Sequence, residues 1–332
     1  MANWREAINT MGCYMVKEIK VLIRYVYRML RRPLCSLIGL ALLRTGLVSR
    51  DVKKTRSKNL ITLIYFHNPS AKLFEKCIKW LIKNRYCFVS VDELYSILVG
   101  RKNPLTGTVC LSVDDGWKAN LPNIIPVVSA FSIPICFFIS TEPVENGVFW
   151  WSYVSKFVET DFNSTMSVND FKTIPEGERR KKIGELKASF LLEREAMTKE
   201  ELFEISKKPF ITIGSHTVNH ACLNRCNEAE LLFEIKESKH LLEGWTNKGV
   251  KYFSYPNGDF TGVEHNTLVQ NGYLMAFTTK QGFIDVNNHD LFYLPRFSVN
   301  DKGTFTENIC KMTGTWQKMV GRILNRRTGG FI

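Results

Sequence analysis

No uninterrupted apolar run in the 332-residue chain reaches the roughly 20 residues that a membrane-crossing helix needs. Tracts rich in glycine, proline or serine are also missing, and so is any internal repeat. Apolar residues make up 45% and charged residues 23%, an ordinary globular balance that excludes wholesale disorder. Cysteine is sparse. The nine cysteines are odd in number and scattered from Cys13 to Cys310, which excludes a disulfide-stapled scaffold. They read as reduced, mostly buried thiols, so the expected location is cytoplasmic.

Acidic residues are scarce at one end. Residues 1–58 hold 13 Lys and Arg against 3 Asp and Glu, and this segment carries +10 of the chain's net +13. A nucleic-acid binder would spread basic residues over a folded face, so no nucleic-acid partner is expected. Along 17–32, Lys17, Lys20, Arg24, Arg28 and Arg31 recur at steps of three and four. Ile19, Leu22, Ile23, Val26 and Leu30 fall on the opposite side, giving a basic amphipathic helix. An apolar stretch, 33–43, follows and is closed by Arg44. It lies deep in the chain without a small-residue cleavage site, unlike a signal peptide. The expectation is peripheral contact with an anionic, cytoplasm-facing membrane through residues 17–48. The competing reading packs the apolar side on the body and leaves the basic side in water.

The polar segment 51–59 reads as a linker, which divides the chain into an arm (1–58) and a body (59–332). Short β-rich runs at 60–66, 87–91, 108–113, 134–140, 211–215, 251–255 and 273–278 alternate with helical patterns. Helices are expected over 71–84, from a cap at Asp92, around 123–131, and over 228–243 and 261–271. Apolar strands alternating with helices imply parallel strands buried on both sides, in a doubly wound sheet or a barrel. The long gap at 141–209 reads as an insertion, with Phe149, Trp150, Trp151 and Tyr153 followed by a charged helix over about 176–196.

Chemistry-bearing residues cluster where strands end. Asp114 and Asp115 close the run LSVDDGW, His216 and His220 lie in IGSHTVNH, and Pro256 and Asn257 end YFSYPNGDF. Two histidines four residues apart can share one side of a helical turn and reach one ion. A carboxylate from another strand completes a three-ligand set and leaves a fourth position open, the catalytic type of metal site. The neighbouring aspartate would then serve as a base, and Gly116 would permit the tight turn that aims both. A closed site of His216, His220, Cys222 and Cys226 is the structural-metal alternative, although it leaves Asp114 and Asp115 without a role.

Several ordered motifs resemble one family. LSVDDGW looks like the first motif of the polysaccharide deacetylases, the NodB-homology or carbohydrate esterase family 4 enzymes. SHTVNH looks like their second, YFSYPNGDF resembles the third, and LPRFSV (294–299) resembles a late motif of members from exopolysaccharide clusters. ITLIYFHN and the FWW at 149–151 are similar to the first strand and the insertion of those members. The resemblance covers roughly 59–300. It implies a distorted (β/α)7 barrel with a helical insertion, and hydrolytic removal of an acetyl group from an acetylated saccharide, usually an N-acetylated hexosamine. It makes Asp114 the general base. Asp115, His216 and His220 become ligands of a divalent ion, with Zn2+ first and Co2+, Ni2+ or Mn2+ also compatible. The backbone N–H of Asn257 would help hold the oxyanion, and Tyr255 and Pro256 would line the groove. Trp117 is a groove candidate, while Trp150 and Trp151 stack on sugar or anchor the insertion.

Two positions depart from the family pattern. Ser254 stands where many members carry arginine, and Arg296 is the candidate to supply the guanidinium instead. No histidine follows His289, so the late histidine that protonates the leaving amine is missing, and His67 is the remaining histidine at a strand end. A metal-dependent N-deacetylase of a nascent or lipid-linked saccharide is the leading expectation. A polysaccharide O-deacetylase and a carbohydrate-binding barrel without turnover are the alternatives.

Overall fold

Residues 30–161 and 166–321 are described by the computed structural model. The basic stripe expected over 17–32 lies outside them except for its last three positions. Helices α1 (Leu30–Arg44) and α2 (Leu47–Ser57) meet at 63°. Between them Gly46 takes a left-handed φ of 75°. Where composition suggested a linker, α2 is packed. Val48, Asp51, Val52 and Thr55 form its buried face. Asp51 accepts a 2.9 Å hydrogen bond from the Thr315 hydroxyl and pairs with Lys318 at 2.9 Å. The one-sided spacing makes this helix, and its high polar content hides it. Among the described residues no single helix is long and apolar enough to cross a membrane, although the bent pair α1 and α2 would be so together.

The strands are β1 (Thr62–Phe66), β2 (Cys87–Phe88), β3 (Thr108–Val113), β4 (Ile135–Ile139), β5 (Ile211–Ser215), β6 (Tyr252–Ser254), β7 (Met275–Phe277) and β8 (Phe297–Ser298). They run in the order β7-β6-β5-β4-β3-β1-β8, with β2 on β3. Every named pairing is parallel. The segment leading into β8 bridges Phe277 of β7 through Leu294, and β8 itself pairs with β1. The two ends of the sheet are thereby brought together in a distorted (β/α) barrel. Only two residues long, β8 was not legible as a strand, and 87–91 shrinks to the two residues of β2.

Side chains alternate across each strand. Leu63, Cys110, Cys136, Phe138, Tyr252, Met275 and Phe277 pack together inside the barrel. Their neighbours Ile64, Leu111, Phe137, Phe253 and Ala276 face the helical layer. Gly214 is needed on β5 because a Cβ there would lie 2.5 Å from the Phe138 ring. The covering helices include α3 (Ala71–Lys83), α4 (Val91–Leu98), α5 (Asn120–Asn123) and α6 (Ile125–Phe131). Ser90, not Asp92, caps α4, in a capping box with Glu93. Asp92 instead accepts the Tyr252 hydroxyl at 2.6 Å.

The insertion holds α7 (Thr141–Asn146), α8 (Trp150–Thr160), α9 (Val168–Phe171) and α10 (Glu176–Ser189), followed by α11 (Lys199–Ser206). Trp150, Val154, Phe171 and Ile183 give it a small core of its own. Leu202 and Ile205 of α11 rejoin the main core. Helices α12 (Glu228–Thr246), α13 (Glu264–Gln270) and α14 (Phe305–Met312) complete the layer.

Candidate active site

Strand parity aims the first motif. Cys110 points into the barrel and Leu111 and Val113 point out, so Asp114 continues the inward row. Its N–H bonds Phe66 O at 2.9 Å, prolonging the ladder. Asp115 and Gly116 then take left-handed φ values of 80° and 97°. For an aspartate this conformation is strained and persists only when neighbours hold it. Here the Ser140 N–H bonds Asp115 O at 3.2 Å, and the Met197 N–H bonds Gly116 O at 3.0 Å. The insertion therefore closes over the aspartate turn and fixes it.

His216 and His220 do not share a helical turn, contrary to the simplest reading of their spacing. They flank an irregular loop in which Thr217 and His220 have φ of 65° and 49°. The buried Glu234 of α12 holds this loop. One carboxylate oxygen accepts the N–H groups of Val218 and Asn219, both at 2.9 Å, and the other accepts the Asn219 amide at 2.6 Å. No motif in the sequence pointed to Glu234. A buried acid facing a loop of free N–H groups is visible only in three dimensions.

The ligand atoms of Asp115, His216 and His220 all lie within 4.8 Å of one another. Nε2 of His216 and Nε2 of His220 stand 3.5 and 3.4 Å from Asp115 Oδ1. That oxygen is buried without a hydrogen-bond donor among the described residues, while Oδ2 accepts the Trp117 indole N–H at 2.9 Å. His216 bonds the Ser254 carbonyl through Nδ1 at 2.7 Å, which turns Nε2 toward the cluster. Burial pushes the His220 imidazole down to about 4 against the pull of Asp115. Burial opposes ionisation of Asp115 as well, but its contacts with His216 and His220 hold the carboxyl well below the ordinary range. An ionised carboxylate with an orphaned oxygen beside a neutral imidazole fits a divalent cation. Cys222 and Cys226 stand apart from this set: the Cys222 sulfur meets the Asn257 amide at 3.4 Å, and the Cys226 thiol lies 3.7 Å from Cys222 O.

Beside the cluster, Arg296 grips Asp114 through two hydrogen bonds of 2.8 Å. Its remaining N–H groups go to Ser112, Ser254 and the Thr278 carbonyl, and its guanidinium lies 4.2 Å from the Tyr65 ring centroid. Burial alone would raise the Asp114 pKa, but the Arg296 guanidinium, and then His216, outweigh it and lower the value. Ser254, where the family pattern has arginine, joins this network and bonds Asp114 at 3.3 Å.

A cavity of about 290 Å3 opens onto the cluster, lined by His67, Asp114, Asp115, Trp151, Val168, Lys172, His216, His220, Asn257 and Thr279. His67 continues the inward row of Leu63 and Tyr65 and lies 3.7 Å from Asp301. Trp151 meets the His220 ring edge-on at 4.8 Å and stacks on Phe149 at 4.7 Å. Tyr255 and Pro256 do not reach the cavity wall. Tyr255 shares the outward parity of Phe253, is buried in the helical layer, and lies parallel to Tyr293 at 6.1 Å. Trp117 is half-buried against Phe149, bonds Asp115 and lies 6.1 Å from the Trp151 ring, but does not itself line the cavity. His289 sits in a loop away from the cavity and bonds Asp285 O at 3.2 Å.

A sequence model of the polysaccharide deacetylases matches residues 101–276, more than half of the chain. The chain belongs to the polysaccharide deacetylase family. YxkH of Bacillus subtilis (strain 168), a protein named for the same family, is 22% identical over 237 residues, covering 69% of this chain and 68% of YxkH. Among solved structures, IcaB from Ammonifex degensii superposes with a TM-score of 0.55 at 17% identity, covering 76% of this chain and 97% of that one. The Streptococcus pyogenes deacetylase PplD, solved in complex with acetate, gives 0.53 at 16% identity, covering 76% and 98%. At these identities the structures establish the fold, a NodB-type barrel. In this family member the matched segment carries both motifs of the Asp–His–His cluster, whereas Arg296 lies beyond it.

Proposed function

We propose that this member of the polysaccharide deacetylase family is a metal-dependent hydrolase that removes N-acetyl groups from an N-acetylhexosamine-containing saccharide. The observation that carries the reading is the convergence of Asp115, His216 and His220 within 4.8 Å, with Asp114 lining the same cavity. Asp115, His216 and His220 would hold the ion. A bound divalent ion supplies Lewis acidity toward water and the acetyl carbonyl. Asp114 takes the proton of the attacking water. Its Oδ2 accepts bonds from Arg296 and Ser254, whereas Oδ1 accepts one from Arg296 and keeps a lone pair free. Arg296 keeps this base ionised. The Asn257 N–H is the candidate donor to the oxyanion, since amide hydrolysis builds negative charge on the carbonyl oxygen. His67, the lining histidine outside the metal set, is the candidate to protonate the leaving amine, with Asp301 orienting its ring.

The test is acetate release from matched N-acetylated and O-acetylated oligosaccharides, with metal analysis of the same preparation. Release from the N-acetylated set, lost in Asp114→Asn, supports the reading. Release from the O-acetylated set alone makes the protein an O-deacetylase. Saccharide binding without release by either form makes it a binding protein. We also propose peripheral contact with an anionic bilayer. The exposure of Leu30, Leu34 and Leu37 on one side of α1 supports it, as does the +10 charge of residues 1–58.

A further inference from the structure

One cation in the cavity wall has no part in the chemistry described so far. Lys172 follows α9 in the insertion, where a capping box of Ser167 and Asp170 fixes the preceding turn. Its ammonium reaches across to the loop after β6 and donates to Asn257 Oδ1 at 2.6 Å. Asn257 is held in turn: its amide meets the Cys222 sulfur at 3.4 Å, and its carbonyl accepts the Thr279 hydroxyl at 3.0 Å. Lys172 and Asn257 therefore form a strap between insertion and barrel, and both line the cavity.

The charges around this strap do not cancel. Asp114 is paired with Arg296, and Asp115 belongs to the metal set. Lys172 forms no ion pair among the described residues, and its one protein hydrogen bond goes to a neutral amide. Asp259, two residues past Asn257, feels the charges of both Lys172 and Arg225, so two cations face one acid there. Asp259 does not line the cavity. An ammonium carries three donors, and a neutral amide uses one.

Building on the deacetylase reading, we infer that Lys172 binds an anionic substituent of the saccharide, a carboxylate or a phosphate close to the acetamido group. The substrate class becomes an acidic or phosphorylated N-acetylhexosamine saccharide in place of a neutral polymer. The insertion, rather than the barrel, then sets this preference, because Lys172 is a charged residue that the insertion contributes to the lining.

The experiment compares kcat/KM for acetate release from chitotetraose, from a hyaluronan tetrasaccharide and from N-acetylglucosamine 1-phosphate. The last two separate a carboxylate source from a phosphate source. Wild type is expected to favour at least one anionic substrate over chitotetraose by about tenfold, and rising salt should erode that ratio. Lys172→Gln keeps an N–H for Asn257 but removes the charge, and it should collapse the ratio toward one. Lys172→Arg should preserve it. Equal or better use of chitotetraose by wild type overturns the inference. So does a Lys172→Gln loss of the same factor on all three substrates, which would make the lysine a positioning strap for Asn257. If wild type releases acetate from none of them, the deacetylase reading fails by itself. Calorimetric binding of the hyaluronan tetrasaccharide and N-acetylglucosamine 1-phosphate, each against chitotetraose, then decides the inference. Tighter binding of either anion by wild type but not by Lys172→Gln upholds it, and no difference overturns it.

Discussion

Arg296 and Asp114, 182 positions apart in the chain, meet through two parallel hydrogen bonds of 2.8 Å inside the barrel. A bidentate guanidinium–carboxylate pair fixes both the direction and the charge of the acid. Both partners are almost fully buried. Removing one leaves the other charged without compensation, at a cost of about 3–5 kcal/mol.

Arg296→Gln should therefore move the acidic limb of the pH–activity profile to higher pH. Asp114 works as a base only when ionised, and Arg296 lowers its pKa against burial, which raises it. Without the guanidinium, burial prevails and protonation sets in at higher pH. The same depressed pKa contributes stability that is present above the ordinary carboxylate range and lost as pH falls through the folded-state value. The substitution should lower the melting temperature at neutral pH and flatten its decline toward acid. An unmoved limb would deny Asp114 its role.

Asp114→Asn should cut kcat for acetate release by about 10²–10⁴-fold, the usual worth of general-base catalysis. Metal content should stay at wild-type level, because Asp114 lies outside the ligand set. Elemental analysis beside the activity assay separates this from loss of the ion.

His216→Ala and His220→Ala should each lower bound metal, read by elemental analysis after dialysis. Full retention in both variants would contradict the site.

Glu234→Gln tests the support behind the ligands. The glutamine amide presents N–H groups toward a loop that already offers three donors. Metal affinity should fall about 10–100-fold, the range for loss of a group that orients ligands. A chelator competition series on the purified protein measures it.

Replacing exposed Leu34 and Leu37 together by serine in the full chain should weaken flotation with anionic vesicles while leaving acetate release intact. Both side chains are more than half exposed on α1, at 58% and 65%. Unchanged flotation would set the membrane proposal aside.

Much of this site was legible because its parts are short strings at the ends of strands. Asp114, Asp115, His216, His220 and Asn257 each follow a run whose apolar alternation announces a buried strand. Parity went unused, and it decides Tyr255 alone: Pro256 would share the inward row of Ser254, but it opens the short 3-10 turn Pro256–Gly258, which leaves the strand. Counting inward and outward positions along β6 puts Ser254 inside and Tyr255 in the helical layer. Composition misled at 51–59, since a helix buried on one side can be polar overall.

The amino-acid sequence by itself determined the alternation of strands and helices, and with it a parallel α/β body with Asp115, His216 and His220 at strand ends, while leaving sheet and barrel both open. Periodicity and local motifs act over a few residues and survive without knowledge of the fold. Only the tertiary structure decided which acid Arg296 neutralises, that Glu234 holds the histidine loop, and that Lys172 reaches Asn257. Those contacts join segments brought together by barrel closure and by the folding of the insertion, and pairings over such separations leave no periodic trace in a single chain.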